Sequence, residues 1–310
     1  MDRFEAMSML VTVTETGSLS AAARALKVPL ATLSRKITDL EALLGTRLLI
    51  RTTRKLTLTD AGMAYVAAAR RILEQVEEAE REAAGEFTTP KGQLVITAPI
   101  LFGRLHVLPA VADFLALYPE INIRLVLADR NLDLIDAHLD MAVRIGKLPD
   151  SSMVTTQVGV MRRVVCASPA LLAGRGVPRT PDDLQNLPCV ALDAPMDMFG
   201  WRFKASASGP TAPLEVPIVP RLSVTTTEAA AEAAIRSVGV TRLLHYQVAE
   251  AVEADALRII LGAFEPDPAP VNLIHASRGQ MPLKMRRFLD FAAPRLRDAL
   301  GRIAMSVGKT

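Results

Sequence analysis

Apolar positions near the start of the chain follow a helical period. Phe4, Met7, Leu10, Val11 and Thr14 recur three and four apart, and Gly17 closes that helix. Ser20 can cap a second, short helix whose Ala22, Ala23 and Leu26 face inward. Lys27-Val28-Pro29 then breaks the chain. Ala31 to Leu44 reads as a third helix with Leu33, Ile37, Leu40 and Leu44 on its buried stripe and Gly45 at its C′ position. Two short helices joined by a tight turn, the second presenting Thr32, Ser34, Arg35 and Lys36 on its open face, make a helix-turn-helix. On these residues alone an ordinary pair of packed surface helices is the alternative.

The period then shortens to that of strands. Leu48 to Arg51 and Lys55 to Leu58 are β-prone runs around Thr52-Thr53-Arg54, a hairpin with a basic tip placed to reach phosphates or a minor groove. Thr59 can cap a helix of about 25 residues, long for a globular domain, with Met63, Val66, Ala67, Ile72, Leu73 and Val76 as its apolar stripe. The simplest partner for such a helix is its own copy, in a two-fold dimer. Gly85 to Gly92 reads as a linker.

Beyond it, strands alternate with helical stretches, which implies βαβ units and a mainly parallel sheet. The strands are read at 93–98, 121–127, 141–145, 163–167, 190–192, 201–203, 221–224, 257–261 and 271–275. Helices are read from residue 99 through Tyr118, at 132–137, 169–173, 181–187 and 227–238 with Gly239 as cap, and at 282–300 with Pro294 inside. The irregular, proline-rich middle suits two α/β lobes, with the chain crossing near Val164 and back near Phe264.

Composition narrows the function. Half of the 310 residues are hydrophobic, enough for a sizeable core, and the net charge of +3 decides nothing. Its distribution does: residues 20–60 hold eight basic side chains against three acidic ones, a footprint for a phosphate backbone, and Glu74 to Glu86 reverses the sign. Cys166 and Cys189 lack CxxC spacing, and His106, His138, His245 and His275 form no metal-ligand pattern, so neither a metal nor another cofactor is expected. No nucleophile–base pair or phosphate-cradling glycine loop argues for an enzyme, and Gly174-Arg175-Gly176 is too short to be one. The N-terminus has no signal-peptide pattern and no apolar run approaches about 20 residues, so the expected location is the cytoplasm.

The chain resembles the LysR-type transcriptional regulators. The carrying residues are Glu15 to Ala23, Leu33-Ser34-Arg35-Lys36-Ile37, Leu40-Glu41, Leu44 to Leu48, Arg51 to Arg54 and Leu58-Thr59-Asp60-Ala61-Gly62. Further on, Gly92-Gln93-Leu94, Ala98-Pro99, Phe102-Gly103-Arg104 and Asp140 to Gly146 are similar to the family's effector-binding region. The resemblance implies an α+β winged helix-turn-helix domain with a long linker helix, then a two-lobe α/β effector domain like a periplasmic binding protein. In this chain those would be residues 1–58, a linker, dimerisation helix and hinge at 59–91, and an effector domain at 92–310, with lobe I at 92–163 and 268–310 and lobe II at 164–267. It also implies double-stranded DNA, a small-molecule effector and a second copy of the chain as partners, in a dimer or tetramer. A solute-binding protein, the alternative, has no use for residues 1–62.

One departure matters. The family's recognition helix usually opens Ser-Gln-Pro-Ala, and here Pro29-Leu30-Ala31-Thr32 stands in that place, so a capping Ser and a base-reading Gln are both missing. The DNA-binding candidates are therefore Ser20, Leu30, Thr32, Ser34, Arg35, Lys36, Arg51, Thr53 and Arg54. For the effector, the carboxyl ends of the strands and the helix starts beside them are the expected place. Pro99, Ile100, Leu101 and Phe102 would face Thr225 and Thr226 across the cleft. Two helix N-termini with free N–H groups and an apolar Pro99–Phe102 side predict a small organic or aromatic acid.

Overall fold

The structure is a computed structural model that describes residues 2–51, 56–83, 89–148, 153–192, 200–205, 213–276 and 281–305. The chain forms two compact units, Met1–Thr89 and Pro90–Thr310.

The first unit is three helices, a two-stranded wing and a long helix. Asp2 caps α1 (Arg3–Thr16) by accepting from the N–H groups of Phe4 and Glu5, and Gly17 ends it in the left-handed region. Its core face is Ala6, Met9, Leu10 and Val13 rather than the run read from Phe4, which is half exposed. The cap of α2 (Leu19–Ala25) is Ser18, whose hydroxyl accepts from Ala21 N–H, so Ser20 lies exposed inside the helix instead of capping it. Pro29 precedes α3 (Leu30–Leu44) with no side-chain cap, and Gly45 closes it at φ 66°. Leu33, Ile37 and Leu40 are buried, whereas Leu44 is exposed: α3 runs past the body it packs on before Gly45 turns the chain.

Strands β1 (Leu49–Arg51) and β2 (Leu56–Leu58) pair antiparallel. Helix α4 (Asp60–Ala83) starts as read, Thr59 Oγ1 accepting from Gly62 N–H at 2.9 Å. A Cβ on Gly62 would stand 2.1 Å from the Leu48 carbonyl oxygen, so only glycine lets α4 begin against the wing. Val66 and Ala69 of α4 are buried, Val66 within this unit's own core beside Leu10 and Ile37. Val66 is thus not in a dimer seam. Met63 and Ala67 are exposed, while Ile72, Leu73 and Val76 are half-buried.

The second unit holds two five-stranded sheets. One, in the order β4–β3–β5–β14–β6, comprises β3 (Gly92–Ala98), β4 (Ile121–Leu127), β5 (Met141–Ile145), β6 (Val154–Met161) and β14 (Ala269–His275). The other, β11–β8–β12–β7–β13, comprises β7 (Arg163–Ala167), β8 (Cys189–Leu192), β11 (Pro220–Val224), β12 (Val240–Leu244) and β13 (Arg258–Ile260). Strands β9 (Trp201–Lys204) and β10 (Pro213–Val216) form a separate hairpin.

Both sheets are mixed rather than mainly parallel. Strand β14 runs antiparallel to β5 and β6, and β7 antiparallel to β12 and β13. These antiparallel strands flank the two crossovers, where the chain changes sheet after Met161 and returns after Ile260, so the strands beside them reverse.

The first sheet is covered by one continuous helix, Ile100–Leu117. It comprises α5 (Ile100–Phe102), a π-helical turn (Gly103–Val107) and α6 (Leu108–Leu117). Its 18 residues have a mean hydropathy of 1.6, long and apolar enough to meet the length and composition of a membrane span, contrary to the sequence reading. The apolarity has a use inside the fold. Leu101, Phe102, Val107, Val111 and Phe114 fill the core with Ile96, Met141 and Leu273. Helix α10 (Leu283–Met305) packs on the same core through Met285, Phe288 and Leu296 and runs on through Pro294.

Elsewhere the segment read as a helix at 132–137 is a turn. After α7 (Pro169–Arg175), residues Pro181–Asn186 are a 3-10 helix. Helix α8 (Thr227–Ile235) stops at Arg236, and Gly239 is not its cap: a Cβ there would meet the Pro188 carbonyl oxygen at 2.6 Å. Strands β6 and β10 and helix α9 (His245–Glu253) were not read from the sequence.

Candidate nucleic-acid interface and effector cleft

The exposed face of α3 follows from its buried one. With Leu33, Ile37 and Leu40 inward, Leu30, Ala31, Arg35 and Thr38 point to solvent, with Ser34 and Thr32 half-buried beside them. Thr38 donates to the Ser34 carbonyl at 2.9 Å. Ala31 and Thr38 were not among the sequence candidates, although Thr38 stands one turn after Ser34 on the same face. Lys36 does not lie free on the open face: its ammonium pairs with Glu5 of α1. Glu41 of the same helix accepts from the N–H groups of Leu48 and Leu49, which ties α3 to the start of the wing. Arg51 ends β1, and Thr53 and Arg54 fall outside the described residues.

In the second unit the helix start after β3 differs from expectation. The Ile100 N–H is not free: it donates to Asp129 Oδ1 at 3.0 Å, and the chain's own carboxylate holds the N-terminal end of α5. Leu101 and Phe102 are buried in the core, and Ile100 is 42% exposed, so Pro99 and Ile100 form the reachable part of that segment. Thr225 and Thr226 are exposed, and Thr226 Oγ1 caps α8 by accepting from Ala229 N–H.

Tyr246, which the sequence reading missed, packs against the 99–102 segment. It comes from α9, yet its ring packs edge-on to Phe102 with centroids 5.4 Å apart. Burial pushes its phenol up to about 12, the hydrogen bond with Gln247 opposes that rise, and the carboxylates of Asp129 and Glu228 add to it. No pattern in the sequence marks a tyrosine that crosses between sheets. His106 joins the ring cluster at 4.9 Å from Phe102, and burial first, then Arg302, pushes its pKa below the usual range. Cys166 and Cys189 are buried free thiols. Burial pushes Cys166 up to about 12 and Cys189 up to about 11, so neither is a ready nucleophile. Among the described residues no group of His, Cys, Asp or Glu could hold a metal ion.

Residues 4–63 match the bacterial regulatory helix-turn-helix protein, lysR family, and residues 88–297 match the LysR substrate binding domain. The chain belongs to the LysR family. It is a DNA-binding transcriptional regulator with an effector-binding domain. The chain is 34% identical over 288 residues to an HTH-type transcriptional regulator of Xanthomonas campestris, covering 93% of this chain and 84% of that one. It is 29% identical over 300 residues to the uncharacterized HTH-type transcriptional regulator YhjC of Escherichia coli, covering 97% and 100%. Among solved structures it is similar to the LysR-type regulator CrgA of Neisseria meningitidis at 30% identity, covering 94% and 98% of the two chains with a TM-score of 0.58. A full-length activator, AphB of Vibrio cholerae, is similar at 25% identity, covering 94% and 98% with a TM-score of 0.59. These relatives are transcriptional regulators, and LysR-type regulators bind DNA and effector ligands and form oligomers.

Proposed function

We propose that this LysR regulator acts in the cytoplasm as a dimer or tetramer whose grip on an operator changes when a small organic or aromatic acid binds between its two sheets. The observation that carries the DNA half is the outward face of α3, where Leu30 and Arg35 stand exposed over a fully buried Leu33–Ile37–Leu40 stripe. In this reading Leu30, Thr32, Ser34 and Arg35 meet base edges in a major groove. Ser20 and Lys36 support that face from beside it. Arg51, Thr53 and Arg54 of the wing take phosphates. The working division is 1–58 for DNA, 59–91 for dimerisation and hinge, and 92–310 for the effector, with lobes at 92–163 plus 268–310 and at 164–267.

On the effector side, Pro99 and Ile100 would line the apolar wall, with Leu101 and Phe102 supporting it from beneath, and Thr225 and Thr226 would face them. Because Asp129 already occupies the start of α5, the acid's charge would be met elsewhere in the cleft. Two experiments test the reading. Retention of the full chain on DNA cellulose with release by moderate salt is expected, and passage straight through would overturn the DNA half. A thermal-shift screen of small metabolites against wild type and Thr226→Val should yield acids among the hits, with affinity weakened by the substitution. Stabilisation by cations or sugars alone would overturn the effector class.

A further inference from the structure

Among the described residues Arg144 is a buried charge with no carboxylate partner. It lies on β5 and is 7% exposed. Among the described residues its guanidinium donates to two backbone carbonyls, of Val143 and Leu132, each at 3.2 Å. A guanidinium has five N–H donors and stays charged, so two neutral acceptors leave most of its capacity unused. A buried charge without a counter-charge is costly. Acidic side chains are close in sequence but turned to other tasks. Asp129 takes the Ile100 N–H, Asp133 the N–H groups of Ile135 and Asp136, and Asp140 the Val95 N–H. Among the described residues no ion pair joins any of them to Arg144, and burial pushes its pKa below the usual guanidinium range.

Position adds the second half of the argument. Strand β3 ends at Ala98, and its parallel partner β5 is in register with it at Ile96–Met141 and Thr97–Ala142. Arg144 therefore stands beyond the end of β3, at the carboxyl edge where open α/β sheets take their ligands. Alternation puts its side chain on the same face as Ala142 and so as Thr97. Thr97 is fully buried, and among the described residues its Oγ1 has no hydrogen-bond partner. Asn272 pairs with Arg144 across the neighbouring strand and is buried on that face as well. Leu134, Leu139 and Ile274 make the rest of that face apolar. A cation and an unpartnered hydroxyl together on an apolar face call for a ligand that is anionic at one end.

We propose that Arg144 is the anion anchor of the effector site, taking the effector's carboxylate through two guanidinium N–H groups, with the Thr97 hydroxyl donating a third bond. This rests on the reading of the effector as an acid and says where its charge is held. Arg suits the role because its planar fork matches a carboxylate at two points, which a lysine ammonium does not.

The test uses the full-length protein and three probes, formate, benzoate and succinate, titrated in thermal-shift and calorimetric assays at constant ionic strength. At least one should give a saturable rise in wild-type melting temperature. Its affinity should fall tenfold or more in Arg144→Lys and be lost in Arg144→Gln, with DNA binding in the absence of probe unchanged. Should the Arg144 variants fail to fold, Thr97→Val keeps the claim testable. That change keeps the shape and removes an unpartnered buried hydroxyl, so the protein should melt no lower than wild type and bind the probe at least threefold more weakly. A carboxylate that binds wild type, Arg144→Gln and Thr97→Val equally would overturn the anchor and leave the acid reading standing. The absence of any saturable carboxylate response in wild type would overturn both.

Discussion

Arg162 and Glu265 form a two-point ion pair, Nε to Oε2 at 2.8 Å and a terminal guanidinium nitrogen to Oε1 at 2.7 Å. Arg162 lies between β6 and β7, where the chain leaves the first sheet, and Glu265 between β13 and β14, where it returns. The pair thus cross-ties both crossovers. Glu265 is 12% exposed and Arg162 31%, and the bond to Glu265 raises the Arg162 pKa against the opposing effect of burial. Glu265→Gln should lower stability by about 1.5–3 kcal/mol, the range for a hydrogen bond to a charged group. A urea melt of the full chain against wild type checks it, and an unchanged midpoint would show that the tie is idle.

Glu41 ties a second joint. One carboxylate oxygen accepts from Leu48 N–H at 2.8 Å and from Leu49 N–H at 3.0 Å. Glu41→Ala leaves two backbone donors at the start of the wing without their partner. The first unit should lose about 1–3 kcal/mol, and affinity for specific and random DNA should fall together as the wing shifts relative to α3. Loss of affinity for one operator alone would mean that Glu41 acts by another route.

Helix α4 separates a core segment from a candidate seam. Val66 is 6% exposed in the core of its own unit, whereas Leu73 is half-buried further along. Val66→Ala should cost about 1.5–3 kcal/mol of stability and leave oligomer size unchanged. Leu73→Asp should leave the fold intact and shift the protein toward monomer in sedimentation. The reverse pattern would put the seam at the wrong end of the helix.

For DNA, Arg35→Ala should weaken operator binding by about 1–3 kcal/mol if the guanidinium reads a base, or reduce the salt slope if it holds a phosphate. Arg51→Ala combined with Arg54→Ala should weaken specific and random DNA equally, since a phosphate carries no sequence information. Anisotropy titrations at several salt concentrations separate the two. Arg35 is out of the interface if neither quantity moves.

Stability should fall on the acid side. Burial pushes His106, His245 and His275 below their ordinary value of 6.5. The unfolded chain then binds protons that the folded one resists, so the histidines favour folding above about 6.5 and lose that effect as pH falls toward their folded pKa values. His275 is 1% exposed, and among the described residues neither ring nitrogen has a hydrogen-bond partner. His275→Met should flatten the profile between about pH 6.5 and 5 and melt no lower than wild type at pH 7. A steeper acid loss in the variant would contradict this.

By itself the sequence determined the winged helix-turn-helix and its order. Those elements depend on neighbours within a few residues: the Leu33–Ile37–Leu40 stripe, Gly45 after it, the Thr59 cap and the β-prone runs on either side of the wing tip. It also placed a strand's end before residue 99 and a helix start beside Thr226, because both are local events. Local pattern does not say which carboxylate reaches a helix start, so Asp129 at the Ile100 N–H came as a correction. Nor does it separate a core face from a partner face, which is why Phe4, Leu44 and Val66 were misplaced. Arg144 lay unremarked inside a family motif. Its meaning comes from what surrounds it, a buried position, two carbonyls and an unpartnered Thr97 hydroxyl 47 positions earlier in the chain. Burial and pairing between distant residues exist only once the sheets have formed, and the tertiary structure alone decided them.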